Sequence, residues 1–175
     1  MVGTIEINGT GGILEGNLAA AAVNVNTDAV YDFDGVDDYL EVADHADLDV
    51  TSITASAWIK PDSISGEQVV VGKYYNDSWE FGISESGGHV HVNAKEGGTY
   101  QAHVMQAGGG IVAGVWQHIA WTYNEADGVN KTYVNGVLTN TQTSSEGAGV
   151  LGTNAQDVEI GRRTTGGVYY AGNIA

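Results

Sequence analysis

The chain contains no cysteine and a single proline. Without cysteine, disulfide bonds and thiolate metal sites are excluded, and composition carries no information on the redox state of its compartment. Its 175 residues are enough for one hydrophobic core, because a domain of this length buries roughly 70% of the surface of its unfolded chain. The sequence therefore predicts one domain that needs no covalent cross-link.

Positive charge is also scarce, since six lysines and arginines stand against 22 aspartates and glutamates, for a net charge of −16. So acidic a surface repels nucleic acid and anionic membranes. No apolar run approaches the ~20 residues that span a bilayer, and the N-terminus has neither the basic nor the apolar region of a signal peptide. We expect no nucleic-acid partner, no membrane insertion, and a location outside the cell, as part of a longer exported protein, or on a virion surface.

Short runs that alternate apolar and polar residues recur along most of the chain, as in 54–60 and 79–83, and this period of two predicts β-strands. Glycine, with 26 residues, mostly separates these runs and so marks tight turns. Asn135-Gly136, between two β-rich arms, predicts a type I′ hairpin. With strands about 10–14 residues apart, the sequence predicts an all-β fold, a jelly-roll sandwich of two antiparallel sheets.

Residues 1–28 differ from the rest, since they are rich in Gly and Asn and only weakly patterned. They predict an N-terminal arm or an edge strand, whereas residues 29–175 predict the sandwich itself. We find no internal repeat and no further domain boundary in the second region.

Five segments follow one another in an order typical of a known family. They are 31–42 (YDFDGVDDYLEV), 53–61 (ITASAWIKP), 115–123 (VWQHIAWTY), 133–137 (YVNGV) and 158–162 (VEIGR). In this order they resemble the laminin-G-like domains of the concanavalin A-like lectin/glucanase superfamily, which implies the same jelly roll. Members usually carry a further strand after the position of 172–174, so the resemblance also implies that the closing strand is missing. Because an unpaired strand edge is costly, we expect the N-terminal arm, a neighbouring subunit or residues lost by truncation to fill its place.

Catalytic patterns are absent. Laminarinase-like relatives on this fold carry Glu-x-Asp-x-x-Glu on one strand face, and the chain lacks this pattern. Glu80 and Glu85 are five residues apart, so in a regular strand they would face opposite sides. A Gly-x-Ser-x-Gly elbow, a phosphate loop and a dinucleotide fingerprint are missing as well. We predict no catalytic residues and a protein that is not an enzyme.

Nine carboxylates fall within residues 28–49. Calcium takes roughly six to eight oxygen ligands, often from a tight acidic loop, and calcium sites are common in the resembling family. Asp34, Asp37 and Asp38 are the predicted calcium ligands. The alternative is a solvated acidic hairpin in which Asp34-Gly35 is ordinary turn chemistry.

Two histidines, His89 and His91, are two residues apart and so share one strand face, a spacing that could hold a transition metal with His103 as third ligand. We favour the interpretation that they are exposed residues of an alternating strand. His118, between two tryptophans, is predicted to be structural.

Aromatic residues beside amides and carboxylates on loops are the chemistry that binds sugars. The predicted ligand-binding residues are Tyr74, Tyr75, Asn76, Asp77, Trp79 and Tyr100. The alternative is that such aromatics belong to strand edges and the core, as we predict for Trp58, Trp116 and Trp121.

Two functions fit these observations. The first is a non-catalytic, lectin-like binding or adhesion module that recognises a glycan or a protein on a surface. If the predicted calcium site is occupied, this binding would depend on calcium. The second is a structural subunit of a virion, such as a phage capsid decoration or tail protein, in which the sandwich serves as scaffold and neighbouring subunits complete it.

Overall fold

The chain folds into a sandwich of two antiparallel β-sheets, which confirms the predicted fold class. The computed structural model describes residues 6–9, 30–73, 78–84, 88–96, 98–105, 110–144 and 148–175. Its strands are β1 (Glu6–Gly9), β2 (Tyr31–Asp34), β3 (Leu40–Val42), β4 (Ile53–Pro61), β5 (Gln68–Lys73), β6 (Trp79–Ile83), β7 (Val90–Glu96), β8 (Thr99–Met105), β9 (Gln117–Asn124), β10 (Val129–Val134), β11 (Val137–Thr143), β12 (Val158–Ile160), β13 (Arg162–Arg163), β14 (Val168–Tyr169) and β15 (Ala171–Ile174). A 3₁₀ helix, Ala46–Leu48, precedes β4.

Two large sheets form the layers. The seven-stranded sheet has the order β11–β10–β9–β4–β15–β2, with β1 also paired to β4. The six-stranded sheet has the order β3–β12–β5–β6–β7–β8. The short hairpin β13–β14 belongs to neither sheet and packs against β5. Strands distant in sequence are thus neighbours in both layers, as a jelly roll requires.

The core lies between the two layers and is built by the alternation that the sequence shows. Its central members are the inward residues of β4 and β6, namely Ile53, Ala55, Ala57, Ile59, Trp79, Phe81 and Ile83. The ring of Trp121 on β9 joins the layers, with its centroid 6.4 Å from that of Trp79 and 6.5 Å from that of Phe81. Each isoleucine or phenylalanine among them contributes about 1.5–3 kcal/mol when fully buried.

Strand β4 has partners along both edges. Its one edge pairs with β9. Along the other edge, residues 59–61 pair with β15, Ala175 and Trp58 exchange two backbone hydrogen bonds of 2.9 Å, and residues 53–56 pair with β1. Residues 6–9 of the predicted N-terminal arm therefore form a strand beside β4. The missing strand that the resemblance implies would follow β15 (Ala171–Ile174), and what fills its place stays a prediction.

A fully buried lysine fixes the segment that leads into β4. Lys73 Nζ lies 2.7 Å from Asp44 Oδ1 and 2.6 Å from Asp49 Oδ1, on either side of the 3₁₀ helix. Burial alone would lower the pKa of Lys73, but hydrogen bonds and the charges of the two carboxylates raise it above its ordinary value. The charged ammonium group therefore ties the end of β5 to this segment.

The hairpin between β10 and β11 turns at Asn135 (φ 51°) and Gly136 (φ 76°). Two successive positive φ angles define the type I′ turn predicted from Asn-Gly. In the described part of the chain the helical content is one 3₁₀ turn, so none of it has the length and apolarity that crossing a bilayer requires.

We predict that Gly161→Ala lowers the free energy of unfolding by about 1–3 kcal/mol more than Gly136→Ala. Both glycines have positive φ, 82° and 76°, so alanine at either costs about 1–2 kcal/mol of backbone strain. A Cβ at Gly136 meets nothing within 4 Å, whereas one at Gly161 would lie 2.4 Å from Phe33 Cε1 and adds about 1–3 kcal/mol of overpacking. Urea unfolding of both variants measures the difference, and equal losses would contradict this account.

Candidate functional site

Polar residues form a row across the outer face of the six-stranded sheet. The cross-strand register places Glu41, Glu159, Gly72, Glu80 and Asn93 side by side on β3, β12, β5, β6 and β7. The sequence WEFGI in β6 turns its aromatic residues into the core, so Glu80 faces the opposite side. Because Gly72 has no side chain, the row has a depression at its centre.

Arg163 holds the buried carboxylates of this face together. Its Nη1 donates to Glu67 Oε1 at 3.1 Å and to Glu80 Oε1 at 3.0 Å, and its Nη2 donates to Glu67 Oε2 at 3.0 Å. His91 Nδ1 lies 3.0 Å from Glu67 Oε1, and Asn93 Nδ2 donates to Glu80 Oε1 at 3.2 Å. Glu80 is 1% exposed, so a single arginine from the β13–β14 hairpin neutralises a carboxylate that has almost no contact with water.

The environments of the two glutamates move their pKa values in opposite directions. Hydrogen bonds from His91 and Arg163 lower the pKa of Glu67 to about 2, against the opposing effect of partial burial. Burial raises the pKa of Glu80, and the charge of Arg163 opposes this only in part. Glu67 is therefore the firmly ionised member of the pair.

Arg162 makes a second, separate network. Its guanidinium pairs with Glu159 and lies 3.5 Å from Glu41 Oε2, and its Cζ stands 3.2 Å from the centroid of the Tyr39 ring. Glu159 Oε2 also accepts from the backbone N–H of Thr164 at 2.9 Å. Burial favours a higher pKa for Glu159, but hydrogen bonds from Arg162 and Thr164 lower it.

The β13–β14 hairpin encloses a cavity of about 290 Å³ against this face, called here the hairpin cavity. Its charged lining consists of Glu41, Glu80, Asp157, Glu159, Arg162 and Arg163. Gln156 and Thr165 add an amide and a hydroxyl group. Among the described residues, Gln156 and Thr165 have no side-chain partner, and Asp157 uses one oxygen to accept from the backbone N–H of Asp44 at 2.8 Å. These groups are available to a ligand.

The predicted calcium residues lie together at the turn between β2 and β3. Asp34, Asp37 and Asp38 are exposed, and one oxygen of each lies within 4.8 Å of the others. Asp34 Oδ1 accepts from the backbone N–H groups of Val36 (2.7 Å) and Asp37 (3.2 Å), and Asp38 Oδ2 accepts from that of Asp34 (3.1 Å). The backbone hydrogen bonds, that from Val36 foremost, lower the pKa of Asp34 and keep its carboxylate ionised.

Of the predicted sugar-binding residues, Trp79 and Tyr100 lie in the described part of the chain. Trp79 is 1% exposed and packs in the core, so its ring offers no stacking face on the surface. Tyr74, Tyr75, Asn76 and Asp77 lie outside the described residues. Tyr100 lies in β8, where its backbone pairs with Lys95.

The histidine interpretation needs correction. His91 is 6% exposed and paired with Glu67, not a solvent-facing residue of an alternating strand. The backbone of His103 pairs with that of Val92 in the register of β7 and β8. The Glu67, Glu80 and His91 ligand atoms lie within 4.8 Å of one another, but Arg163 already bonds both carboxylates.

Sequence reasoning missed the hairpin cavity. Its arginines did carry a signal, because two of only six basic residues stand adjacent, directly after the strand segment VEIG in a strongly acidic chain. A buried carboxylate needs an opposite charge beside it, and these two arginines supply that charge to Glu159 and Glu80.

The sequence profile of the concanavalin A-like lectin/glucanase superfamily, in its laminin-G-like form, matches residues 34–175. The chain belongs to this family, and the resemblance of the five segments is confirmed. No curated protein matches the chain in sequence.

Solved structures share the fold at low identity. The Ruminococcus gnavus sialidase module CBM40 bound to α2,3-sialyllactose is 14% identical with a TM-score of 0.62, over 83% of this chain and 88% of that one. A putative carbohydrate-binding protein from Bacteroides ovatus is 18% identical with a TM-score of 0.60, and mouse laminin α1 domains LG4-5 are 16% identical with a TM-score of 0.57. Over 83% of its own length, the chain spans 42% and 40% of these two.

We predict that stability depends on Glu67 and Glu80 in two different pH windows. Glu67, with an ordinary pKa of 4.5 and a folded pKa of about 2, contributes stability that is present above pH 4.5 and lost as pH falls towards 2. The raised pKa of Glu80 has the opposite sign, so its contribution is lost as pH rises above 4.5.

Urea unfolding of the wild type, Glu67→Gln and Glu80→Gln between pH ~2 and ~8 measures both effects. The difference between wild type and Glu67→Gln should change only in the lower window, and that for Glu80→Gln only in the upper one. Differences that change in the same window would contradict the opposite assignments.

Proposed function

We propose that the chain is a non-catalytic, lectin-like carbohydrate-binding module that takes its saccharide in the hairpin cavity. The observation that carries this proposal is the cavity itself. The amide of Gln156, the hydroxyl group of Thr165 and one carboxylate oxygen of Asp157 line it and have no described hydrogen-bond partner within the protein. Saccharides are recognised by such groups, and about 290 Å³ lies at the low end of the ~300–1,000 Å³ typical of small-ligand sites.

The surroundings of the cavity support the proposal. Tyr39 is 41% exposed beside Arg162 and offers an aromatic surface of the kind on which sugar rings pack. The predicted contact residues 74–77, which lie outside the described residues, stay proposed ligand contacts. Two of the structures that share the fold are a sialyllactose complex and a putative carbohydrate-binding protein, which agrees with a saccharide ligand.

The geometry of Glu67 and Glu80 argues against glycoside hydrolysis, although it has two features of a catalytic pair. The oxygens lie within 4.8 Å, close to the ~5 Å of retaining glycosidases, and the two pKa values are moved apart. However, Arg163 bonds both carboxylates at 3.0–3.1 Å and fills the space where a sugar carbon would stand. Glu80 lines the cavity but is only 1% exposed, which leaves its carboxylate little contact with a substrate. The network therefore serves the fold.

The proposed setting is outside the cell, where such a module attaches its protein to a glycan or a protein on a surface. The other candidate is a structural subunit of a virion. In its favour, the edge strand β11 is largely exposed and has no charged residue in VLTNTQT, so it can pair with a neighbouring subunit without repulsion. A glycan screen separates the two, because scaffold use requires no saccharide.

We predict that a glycan array identifies a bound saccharide and that Gln156→Ala weakens its binding about five- to tenfold, the value of one hydrogen bond to the ligand. The matched control is Gln142→Ala, an exposed glutamine on β11 in the other sheet, which should leave binding unchanged. Calorimetric titration measures both. An array without hits, or equal affinities of wild type and Gln156→Ala, would reject the cavity as the saccharide site.

We also propose that Asp34, Asp37 and Asp38 hold calcium. After the hydrogen bonds of the turn, one oxygen of Asp38 and both of Asp37 remain without a described partner. Carboxylate oxygens on a tight turn are the ligands that calcium prefers. A bound ion would brace the segment that carries Tyr39 to the cavity.

We predict calcium binding with a dissociation constant of ~10⁻⁴–10⁻³ M, the range of extracellular modules, and about tenfold weaker binding by Asp37→Asn. Asp37 accepts no hydrogen bond of the turn, so this variant keeps the fold. Asp127→Asn is the control, because Asp127 is an exposed turn aspartate that accepts from Val129 N–H at 3.1 Å. Calorimetry that detects no heat, together with a melting temperature that calcium leaves unchanged, would dismiss the site.

A further inference from the structure

We propose that the hairpin cavity selects saccharides that carry free amino groups over neutral ones and excludes acidic ones. This inference rests on the proposed function and names the ligand class of the same site. Three features of the cavity support it: the negative charge of the lining, the ion pairs that occupy its arginines, and the hydrogen-bond acceptors left for a ligand.

The lining of the cavity is negative. Four carboxylates, those of Glu41, Glu80, Asp157 and Glu159, face two arginines, so its formal charge is −2. If Glu80 is protonated the charge is −1, and the sign is unchanged. Arg163 is moreover shared with Glu67, which lies outside the lining. An anionic ligand would therefore enter a space of its own charge.

The two arginines are committed to the protein. Arg163 donates from Nε to the backbone carbonyl of Thr165 at 3.0 Å, in addition to its bonds to Glu67 and Glu80. Arg162 donates from Nε to Glu159 Oε1 at 3.1 Å and is covered by the Tyr39 ring. An arginine binds a sugar carboxylate through a free pair of guanidinium donors, and neither arginine offers one without breaking a buried ion pair.

The groups left for a ligand are mainly acceptors. Glu41 is 45% exposed, and its only described partner is Arg162 at 3.5 Å. Asp157 has one oxygen without a described partner, and Gln156 contributes an amide. A ligand with an ammonium group supplies three donors to these acceptors, and hydrogen bonds between charged groups are about twice as strong as neutral ones.

The field of the whole chain adds to the local charge. With a net charge of −16, the protein attracts cationic ligands over distances comparable to the Debye length, about 10 Å at 0.1 M salt. This attraction is not specific to the cavity, so a test must separate it from binding to Glu41 and Asp157.

The test is calorimetric titration of the full chain with three oligosaccharides of equal length: glucosamine, N-acetylglucosamine and galacturonic acid oligomers. We expect the amine form to bind about tenfold more tightly than the N-acetyl form at low salt, with the acidic form unbound at millimolar concentration. The double variant Glu41→Gln/Asp157→Asn should reduce the preference to about one while affinity for the N-acetyl form stays within about twofold.

The control is Glu125→Gln, which removes one negative charge from the turn between β9 and β10 in the other sheet and should keep the preference. Equal binding of amine and N-acetyl forms, or binding of the acidic form, overturns the inference and leaves the proposed function standing. If the double variant keeps the preference for the amine form, that preference reflects non-specific attraction, and this result also overturns the inference. If none of the three binds and the glycan array is empty, the proposed function falls too.

Discussion

The contact between Arg163 and the buried Glu80 is the interaction on which the outer face of the six-stranded sheet depends. A carboxylate with 1% exposure costs several kcal/mol unless a charge of opposite sign and further hydrogen bonds accompany it. In this chain the positive charge is that of Arg163, which lies in the β13–β14 hairpin, 83 residues after Glu80. The hairpin must therefore lie over the sheet, and the hairpin cavity is the space it leaves there.

This constraint links stability to the proposed binding. Both arginines of the cavity neutralise glutamates, namely Glu67, Glu80 and Glu159. The groups that stay available to a ligand are therefore mainly oxygen acceptors, and the ion pairs hold the surrounding strands in place. A frame held by buried ion pairs changes little on binding, which favours recognition. The same ion pairs hold Glu67 and Glu80, so one network accounts for the shape of the site and supports the proposal of a non-catalytic module.

Local features were predictable from the sequence and distant ones were not. The alternation in β4, the Asn135-Gly136 turn and the gathering of Asp34, Asp37 and Asp38 all follow from residues close in the chain. In contrast, the alternation of β6 and β7 identifies which residues turn away from the core but not what covers them. His91 therefore looked exposed when the outer face is itself buried. Trp79 was predicted as a ligand contact although its alternation with Phe81 and Ile83 places it in the core. Only the fold brings Glu67, Glu80 and Arg163 together.

The central claim, that the hairpin cavity is the saccharide site, is tested most directly by mapping a bound sugar with amide chemical shifts in a ¹⁵N-labelled chain. A glucosamine oligomer, or the best saccharide from a screen, should shift the resonances of Gln156, Asp157, Thr164 and Thr165 and leave those of β9–β11 unchanged. Shifts confined to the seven-stranded sheet, or to the turn at Asp34–Asp38 without the cavity, would contradict the account.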